Sequence, residues 1–152
     1  MEVKELGHIV LYVRNLEQSA HFYGDILGFH PINEVVPGMR AAAFNSSSHR
    51  THHELLLIEV GEDAPMPSRG RRAGLYHFGL KVGTTDEELK AVIETLQENS
   101  VTMVGASDHT VTHSLYILDP DGNEIELYID VQPEVWHEDP KAVLSPVKPL
   151  RL

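Results

Sequence analysis

The sequence predicts an α+β fold made of two copies of one β-α-β-β-β module. The stretch HIVLYV at 8–13 recurs as HFGLKV at 77–82, so both copies read H-x-x-L-x-V at an offset of 69 residues (77 minus 8). After each copy comes a capped amphipathic segment typical of a helix, followed by three stretches typical of strands. Because each first strand begins near a histidine, pairing of the modules is expected to bring histidines together, which points towards a metal site.

The first module covers about 5–60. Apolar residues alternate over 5–13, which predicts the first strand. Asn15 and Gln18 have the spacing of a capping box and predict a helix over 16–27, which Gly28 is placed to end. Three strands are expected to complete the module near 30–36, 39–45 and 53–60, with Pro37-Gly38 as the turn between the first two.

The second module covers about 75–130 and repeats this plan. Thr85 and Glu88 form the second predicted capping box, after a strand at 75–82 and before a helix to about 98. The tail at 131–152 contains four prolines and is expected to be extended. The remaining predicted strands of the module lie near 101–107, 113–119 and 123–130.

The composition favours a globular protein with a small-molecule partner. The chain of 152 residues has no cysteine, which excludes disulfides and iron-sulfur clusters and leaves nitrogen and oxygen as the only metal ligands. A formal net charge of -11 argues against nucleic acid or an anionic membrane as the main partner. No apolar run approaches the roughly 18 residues of a membrane span, and the N-terminal residues lack a signal-peptide pattern, so a cytoplasmic location is expected.

The strongest local signal is a predicted hairpin near the end of the second module. The run D-P-D-G-N at 119–123 suits a three-residue loop that contains a type I turn, with its glycine in the left-handed position. If Asp119 pairs with Asn123, then Tyr116 lies opposite Glu126 on one face of the hairpin. A phenol and a carboxylate therefore point the same way.

These motifs resemble the vicinal oxygen chelate superfamily, which includes extradiol ring-cleavage dioxygenases, glyoxalase I and bleomycin-resistance proteins. The resemblance covers roughly 5–130 and implies a single domain at 1–130, in which the paired modules form a curved mixed sheet around a metal-binding cleft. In metal-dependent members the first strand of each module provides a histidine and the last strand of the second provides a glutamate. The matching residues here are His8, His77 and Glu126.

The resemblance is greatest to single-domain extradiol dioxygenases. Two imidazoles and one carboxylate suit Fe(II), although Mn, Ni or Zn could also use these ligands. The segment at 108–116 looks like the extradiol signature, which implies that His109 and Tyr116 orient the substrate oxygens. His53 resembles the histidine that hydrogen-bonds bound oxygen and moves a proton, whereas strand alternation predicts that His52 points to the opposite face.

The expected function is therefore Fe(II)-dependent ring cleavage of a catechol-type aromatic with O2, in a protein that forms a homodimer or a higher homo-oligomer. The alternative is a glyoxalase I-like lyase, isomerase or epimerase that uses a divalent metal and an enediolate. Glu59 would then be a fourth ligand, two residues after Leu57, which lies at the matching offset from Glu126 (126 minus 69). Otherwise Glu59 simply ends its strand. A metal-free protein that sequesters small molecules is the third possibility.

Overall fold

The computed structural model describes residues 1–32, 38–68 and 70–152. The chain divides into two compact units, Met1–Pro67 and Ser68–Leu152, and each is described by itself. The predicted turn at Pro37 and most of the strand predicted at 30–36 lie outside the described residues. Among the described residues, no helix combines the length and the apolar composition that a membrane span requires.

The described residues of the first unit form a helical segment and a mixed sheet. Its elements are β1 (Ile9–Val13), α1 (Leu16–Ala20), which continues as a π-helix (His21–Ile26), β2 (His30–Pro31), β3 (Ala41–Asn45) and β4 (Leu55–Glu59). The strand order is β1-β4-β3-β2. The pair β1–β4 is parallel, and the other two pairs are antiparallel.

The helical segment begins and ends where the sequence predicts, but its second half is wider than an α-helix. The Asn15 side chain accepts a hydrogen bond of 2.9 Å from the Gln18 N–H, and Gly28 follows the segment with a φ of 78°. The Leu27 N–H donates to the Phe22 carbonyl five residues earlier, as in a π-turn. Both Phe22 and its neighbour Tyr23 are buried, and burial of this aromatic pair compensates for the irregular turn.

The second unit repeats the plan of the first and adds a helical tail. Its elements are β5 (His77–Gly83), α2 (Asp86–Glu98), β6 (Met103–Asp108), β7 (Thr112–Leu118), β8 (Glu124–Asp130), α3 (Pro133–Glu138) and a 3₁₀ helix (Pro140–Leu144). The strand order is β5-β8-β7-β6, with β5 and β8 parallel. The predicted capping box of α2 is present in full. Two mixed sheets of matching topology confirm the predicted α+β fold of paired β-α-β-β-β modules.

Each sheet packs one face into a hydrophobic core, and in the second unit the other face carries polar groups. In β8 the buried residues are Ile125, Leu127 and Ile129, and they alternate with half-buried polar residues that include Glu126. Burial of each such side chain stabilises the fold by about 1.5–3 kcal/mol. Core packing of the apolar residues thus decides which face carries Glu126.

Strand pairing corrects the predicted match between Glu126 and Leu57. Gly79 pairs with Glu126, and Val10, which lies 69 residues before Gly79, pairs with Leu56. The second module is therefore one residue longer between its first and last strands (126 minus 56 is 70). Leu57 is fully buried in the core of the first unit. Leu56 is the structural counterpart of the glutamate.

The tail is not extended, contrary to the sequence-based expectation. It forms two short helical turns, each of which begins at a proline, because proline suits the first turn of a helix. Beyond them Lys148 exchanges backbone hydrogen bonds of 2.8 and 2.9 Å with Asp108 on the edge strand β6. Its side chain also donates to the Thr110 hydroxyl at 3.3 Å. The tail thus covers an edge that would otherwise expose unpaired backbone groups.

Candidate metal centre

The candidate residues form one cluster in each unit. The second-unit cluster contains His77, Glu126, Tyr116 and His109. The first-unit cluster contains the three histidines His8, His52 and His53.

In the second unit, parallel pairing of β5 and β8 brings a histidine and a carboxylate together. The Nε2 atom of His77 lies 3.3 Å from Oε2 of Glu126, and its Nδ1 atom lies 3.6 Å from Oε1 of Glu124. Gly79 lies opposite Glu126, and a Cβ at that position would meet the Tyr128 ring at 3.3 Å and the Glu126 carboxylate at 3.6 Å. The Nδ1 atom of His77 is buried and makes no hydrogen bond among the described residues.

This arrangement fits a metal-binding histidine. Nitrogen and oxygen atoms bound to the same ion lie roughly 3 Å apart when each bond is about 2.1 Å long. The separation of His77 Nε2 from Glu126 Oε2 is close to that value. A second carboxylate, Glu124, lies behind the ring, where metal-bound histidines commonly have a carboxylate that sets the tautomer. The sequence analysis missed Glu124, although its alternation with Glu126 in E-x-E places both on one strand face.

The hydroxyl of Tyr116 connects the carboxylate of Glu126 with the ring of His109. Tyr116 pairs with Glu126 across β7 and β8, as the hairpin predicted, and its O–H donates to Oε1 at 3.2 Å. The phenol oxygen lies 2.8 Å from Nε2 of His109. Burial, followed by the charge of Glu126, raises the pKa of Tyr116 to about 12. The phenol therefore stays protonated at neutral pH and acts as a hydrogen-bond donor.

His109 lies in the tight turn between β6 and β7. Its backbone N–H donates to the Thr112 carbonyl at 2.9 Å. The next residue, Thr110, has a positive φ of 73°, an uncommon conformation for a β-branched side chain. The Asp108 carboxylate holds this turn by accepting the Thr110 N–H at 2.6 Å. The turn thereby orients the His109 ring towards Tyr116.

In the first unit, β1 and β4 are parallel neighbours, so the residues that precede them lie at one sheet edge. His8 precedes β1, and His52 and His53 precede β4. The ring centroid of His53 lies 4.5 Å from that of His8 and 4.3 Å from that of His52. One nitrogen from each of the three rings lies within 4.8 Å of the other two.

The prediction that His52 points away from His53 was wrong. It assumed a strand from 53, but β4 begins at Leu55, so strand alternation does not extend to the two histidines. Thr51 forms a local turn there instead, in which its hydroxyl donates to the His53 carbonyl at 2.5 Å. The Nε2 atom of His53 is buried and makes no hydrogen bond in the described part of the chain. Burial, and then the charges of His52 and His8, lower the pKa of His53.

Glu59 is held by other partners, which argues against its role as a fourth metal ligand. Both of its oxygens accept hydrogen bonds from Arg40, and one also accepts the Leu16 N–H at the start of α1 at 2.8 Å. These hydrogen bonds, led by the Arg40 side chain, lower the pKa of Glu59 to about 2. Glu59 also shares strand parity with the buried Leu55 and Leu57, whereas Glu126 alternates with buried residues. The two glutamates therefore lie on different faces of their sheets.

The structure thus brings together four predicted site residues in the second unit and two, His8 and His53, in the first. Because His8 belongs to a different unit from His77 and Glu126, a single ion held by all three stays a prediction.

Known proteins with related sequences identify the superfamily. Residues 5–127 match the family described as Glyoxalase/Bleomycin resistance protein/Dioxygenase superfamily. The chain belongs to this superfamily. One relative within it is a catechol-2,3-dioxygenase of Bacillus subtilis (strain 168), 32% identical over 138 residues, in an alignment that covers 91% of this chain and 46% of that protein. The chain therefore spans about half the length of that relative.

The superfamily match extends to proteins with other activities and to solved structures. A metallothiol transferase FosB of Staphylococcus epidermidis (strain ATCC 12228 / FDA PCI 1200) is 25% identical, over 84% of this chain and 83% of that one. Among solved structures, a glyoxylase/bleomycin resistance protein/dioxygenase domain from Frankia sp. EAN1pec has a TM-score of 0.70 at 18% identity, over 85% of this chain and 99% of that one. This last likeness shows the fold alone.

Proposed function

We propose that this protein is a metal-dependent extradiol dioxygenase that cleaves a catechol-type aromatic with O2 and uses Fe(II). The observation that carries this proposal is the hydrogen-bonded chain from Glu126 through Tyr116 to His109, beside His77. A metal site needs only the two histidines and the glutamate. The additional phenol and imidazole suit a substrate whose oxygens must be oriented next to the metal. The relative named catechol-2,3-dioxygenase supports the same substrate class.

In this proposal His8, His77 and Glu126 hold the metal. Bound there, Fe(II) supplies Lewis acidity and open coordination positions for the substrate oxygens and O2. Glu124 lies 3.6 Å from the second nitrogen of His77, and a small movement would let its carboxylate accept a hydrogen bond from that nitrogen and orient the ring. The Glu126 carboxylate is oriented in turn by the Tyr116 hydroxyl. Within the second unit, His77 and Glu126 thus already lie next to each other without a metal.

The other residues position substrate and move protons. Tyr116 remains protonated because burial and the Glu126 charge raise its pKa to about 12, so its O–H can turn from Glu126 to a substrate oxygen. His109 Nε2, at 2.8 Å from the phenol oxygen, completes the pair that orients the substrate oxygens. Burial lowers the pKa of His53, so its ring is neutral near neutral pH and its Nε2 can accept a proton.

A glyoxalase-like enzyme without oxygen chemistry is the second candidate. The match to FosB, named a metallothiol transferase, favours a superfamily activity other than ring cleavage, because that match covers 83% of the relative's length, against 46% for the catechol dioxygenase. The pairing of Glu59 with Arg40 and with the start of α1 weighs against it, since the predicted fourth ligand is occupied. A metal-free sequestration protein would need neither His77 nor Glu126 in these positions.

Oxygen uptake tests the proposal directly. Protein loaded anaerobically with Fe(II) is mixed with a panel of catechols, and O2 consumption and the absorbance of the ring-cleaved product are recorded. We expect uptake with at least one catechol, reduced more than a hundredfold in His77→Ala and unchanged in His21→Ala, an exposed histidine paired with Asp25. No uptake with any catechol, together with turnover of a hemithioacetal by the Ni- or Zn-loaded protein, would reverse the ranking of the two candidates.

A further inference from the structure

We propose that the first unit contains a second metal site, formed by the imidazoles of His8, His52 and His53, which binds Zn²⁺ or another divalent ion that prefers nitrogen ligands. The site shares His8 with the proposed iron triad of His8, His77 and Glu126, and it shares His53 with the proposed proton transfer. It rests on the proposed function in one respect: the two sites compete for His8 only if His8 also binds the iron.

The fold brings the three rings together. His8 lies just before β1, and His52 and His53 lie just before β4. These two strands are parallel neighbours. One nitrogen from each ring lies within 4.8 Å of the others, and the His8 and His52 ring centroids are 5.6 Å apart at an interplanar angle of 74°. None of the three ring pairs is stacked, since the interplanar angles are 74°, 38° and 89°.

A polar atom without a partner points to a ligand. The Nε2 atom of His53 is buried and unbonded among the described residues. A buried nitrogen with no hydrogen bond destabilises the fold, because it has lost its contacts with water and gained none in return. A metal ion accepts the lone pair of such a nitrogen and removes that destabilisation.

Small side-chain rotations complete the geometry. Nitrogens bound tetrahedrally to zinc at about 2.0–2.1 Å lie roughly 3.4 Å apart. Because the nitrogens lie within 4.8 Å of one another, their separations need to shorten by at most about 1.4 Å. His8 and His52 are exposed, so these rotations disturb no core packing. The fourth coordination position would be taken by water.

The ligand set predicts which metals bind. Three neutral nitrogens favour Zn²⁺, Ni²⁺ and Cu²⁺ over Fe²⁺ and Mn²⁺, which bind more weakly in the general order of stability. The proposed iron ligands, His8, His77 and Glu126, include a carboxylate and are better suited to Fe²⁺. Zn²⁺ at the second site would withdraw His8 from the triad, so excess zinc is expected to compete with iron loading.

Zinc binding by the full-length chain tests this inference. In His77→Ala, which removes the catalytic site, titration against a chromophoric chelator should still show one Zn²⁺ per chain. Adding His52→Ala should weaken that binding at least tenfold, whereas adding His30→Ala, a histidine stacked on His49 instead, should change it less than twofold. The number of nitrogen couplings in the Cu²⁺ electron paramagnetic resonance spectrum should fall from three in His77→Ala to two in the double variant with His77→Ala and His52→Ala.

Two results would overturn it. One is loss of all zinc binding in His77→Ala while circular dichroism shows a folded chain, and the other is equal affinity with and without His52. Neither result bears on oxygen uptake by the Fe(II)-loaded wild type. Conversely, His52-dependent zinc binding in a protein that consumes no O2 with any catechol would preserve this site and contradict the proposed function.

Discussion

At the residue scale, Glu126 shows how a single carboxylate can join several functional groups. One of its oxygens faces the His77 ring at 3.3 Å, and the other accepts the Tyr116 hydroxyl at 3.2 Å. Gly79 pairs with Glu126, and a side chain in its place would press on the Tyr128 ring. Glu59, in the last strand of the other unit, has Arg40 and a helix start as partners instead. Glu126 thus belongs to the candidate metal site of the second unit, whereas Glu59 stabilises the fold of the first.

The role of Glu59 predicts a pH dependence. Its pKa in the folded protein is about 2, below the usual value of 4.5, so its interactions stabilise the fold above pH 4.5 and are lost as the pH falls towards 2. We expect Glu59→Gln to be less stable than the wild type at pH 7 and the difference to shrink below pH 4.5. Urea unfolding from pH 7 to pH 3 measures it. Glu94→Gln, which changes an exposed glutamate of α2, is the control, and a difference independent of pH would contradict the prediction.

At the scale of elements, strand starts and helix ends decide where side chains point. The beginning of β4 at Leu55 releases His52 and His53 from strand alternation and lets both approach His8. The end of α2 is a Schellman motif, in which Ser100 donates to the Gln97 carbonyl and Val101 to that of Leu96. The residues that form such an end are neighbours in sequence, but the position at which a strand or helix begins or ends depends on tertiary packing.

The end of α2 predicts a stabilising substitution. Ser100 has a φ of 55°, in the left-handed region that favours glycine. The relief of steric strain outweighs the greater unfolded-state entropy of glycine, so Ser100→Gly should raise the free energy of unfolding by roughly 0.5–1 kcal/mol. Urea denaturation at constant pH measures this change. Ala91→Gly within the same helix should lower stability by about 1 kcal/mol, and a loss of stability in Ser100→Gly would refute the prediction.

At the scale of the whole molecule, the two units have the same sheet topology but different polar faces. The second unit has carboxylates and a tyrosine beside its histidine. In the first unit, the position that corresponds to Glu126 is occupied by Leu56. The duplication therefore supplies two histidines in equivalent strand contexts and only one glutamate. Homo-oligomer formation stays a prediction that sedimentation velocity can check.

The proposal that His8, His77 and Glu126 hold one ion predicts that iron binding requires ligands from both units. After anaerobic loading and desalting, the wild type should retain about one Fe²⁺ per chain, whereas His8→Ala and His77→Ala should each retain less than a tenth of that amount. Metal analysis by plasma mass spectrometry measures it, with His21→Ala as the control in which iron is retained. Full iron content in His8→Ala would show that the first unit contributes no ligand.

From the sequence alone, the duplicated modules, both helix starts and the Tyr116–Glu126 pairing were predictable, because they follow from periodicity, capping and turn chemistry over a few residues. The tertiary structure decided that Glu59 is held by Arg40 and that His52 lies beside His53. These features depend on residues distant in sequence, or on a strand beginning two residues later than expected. Side-chain direction changes with a one-residue shift, so the sites depend on packing that local patterns do not contain.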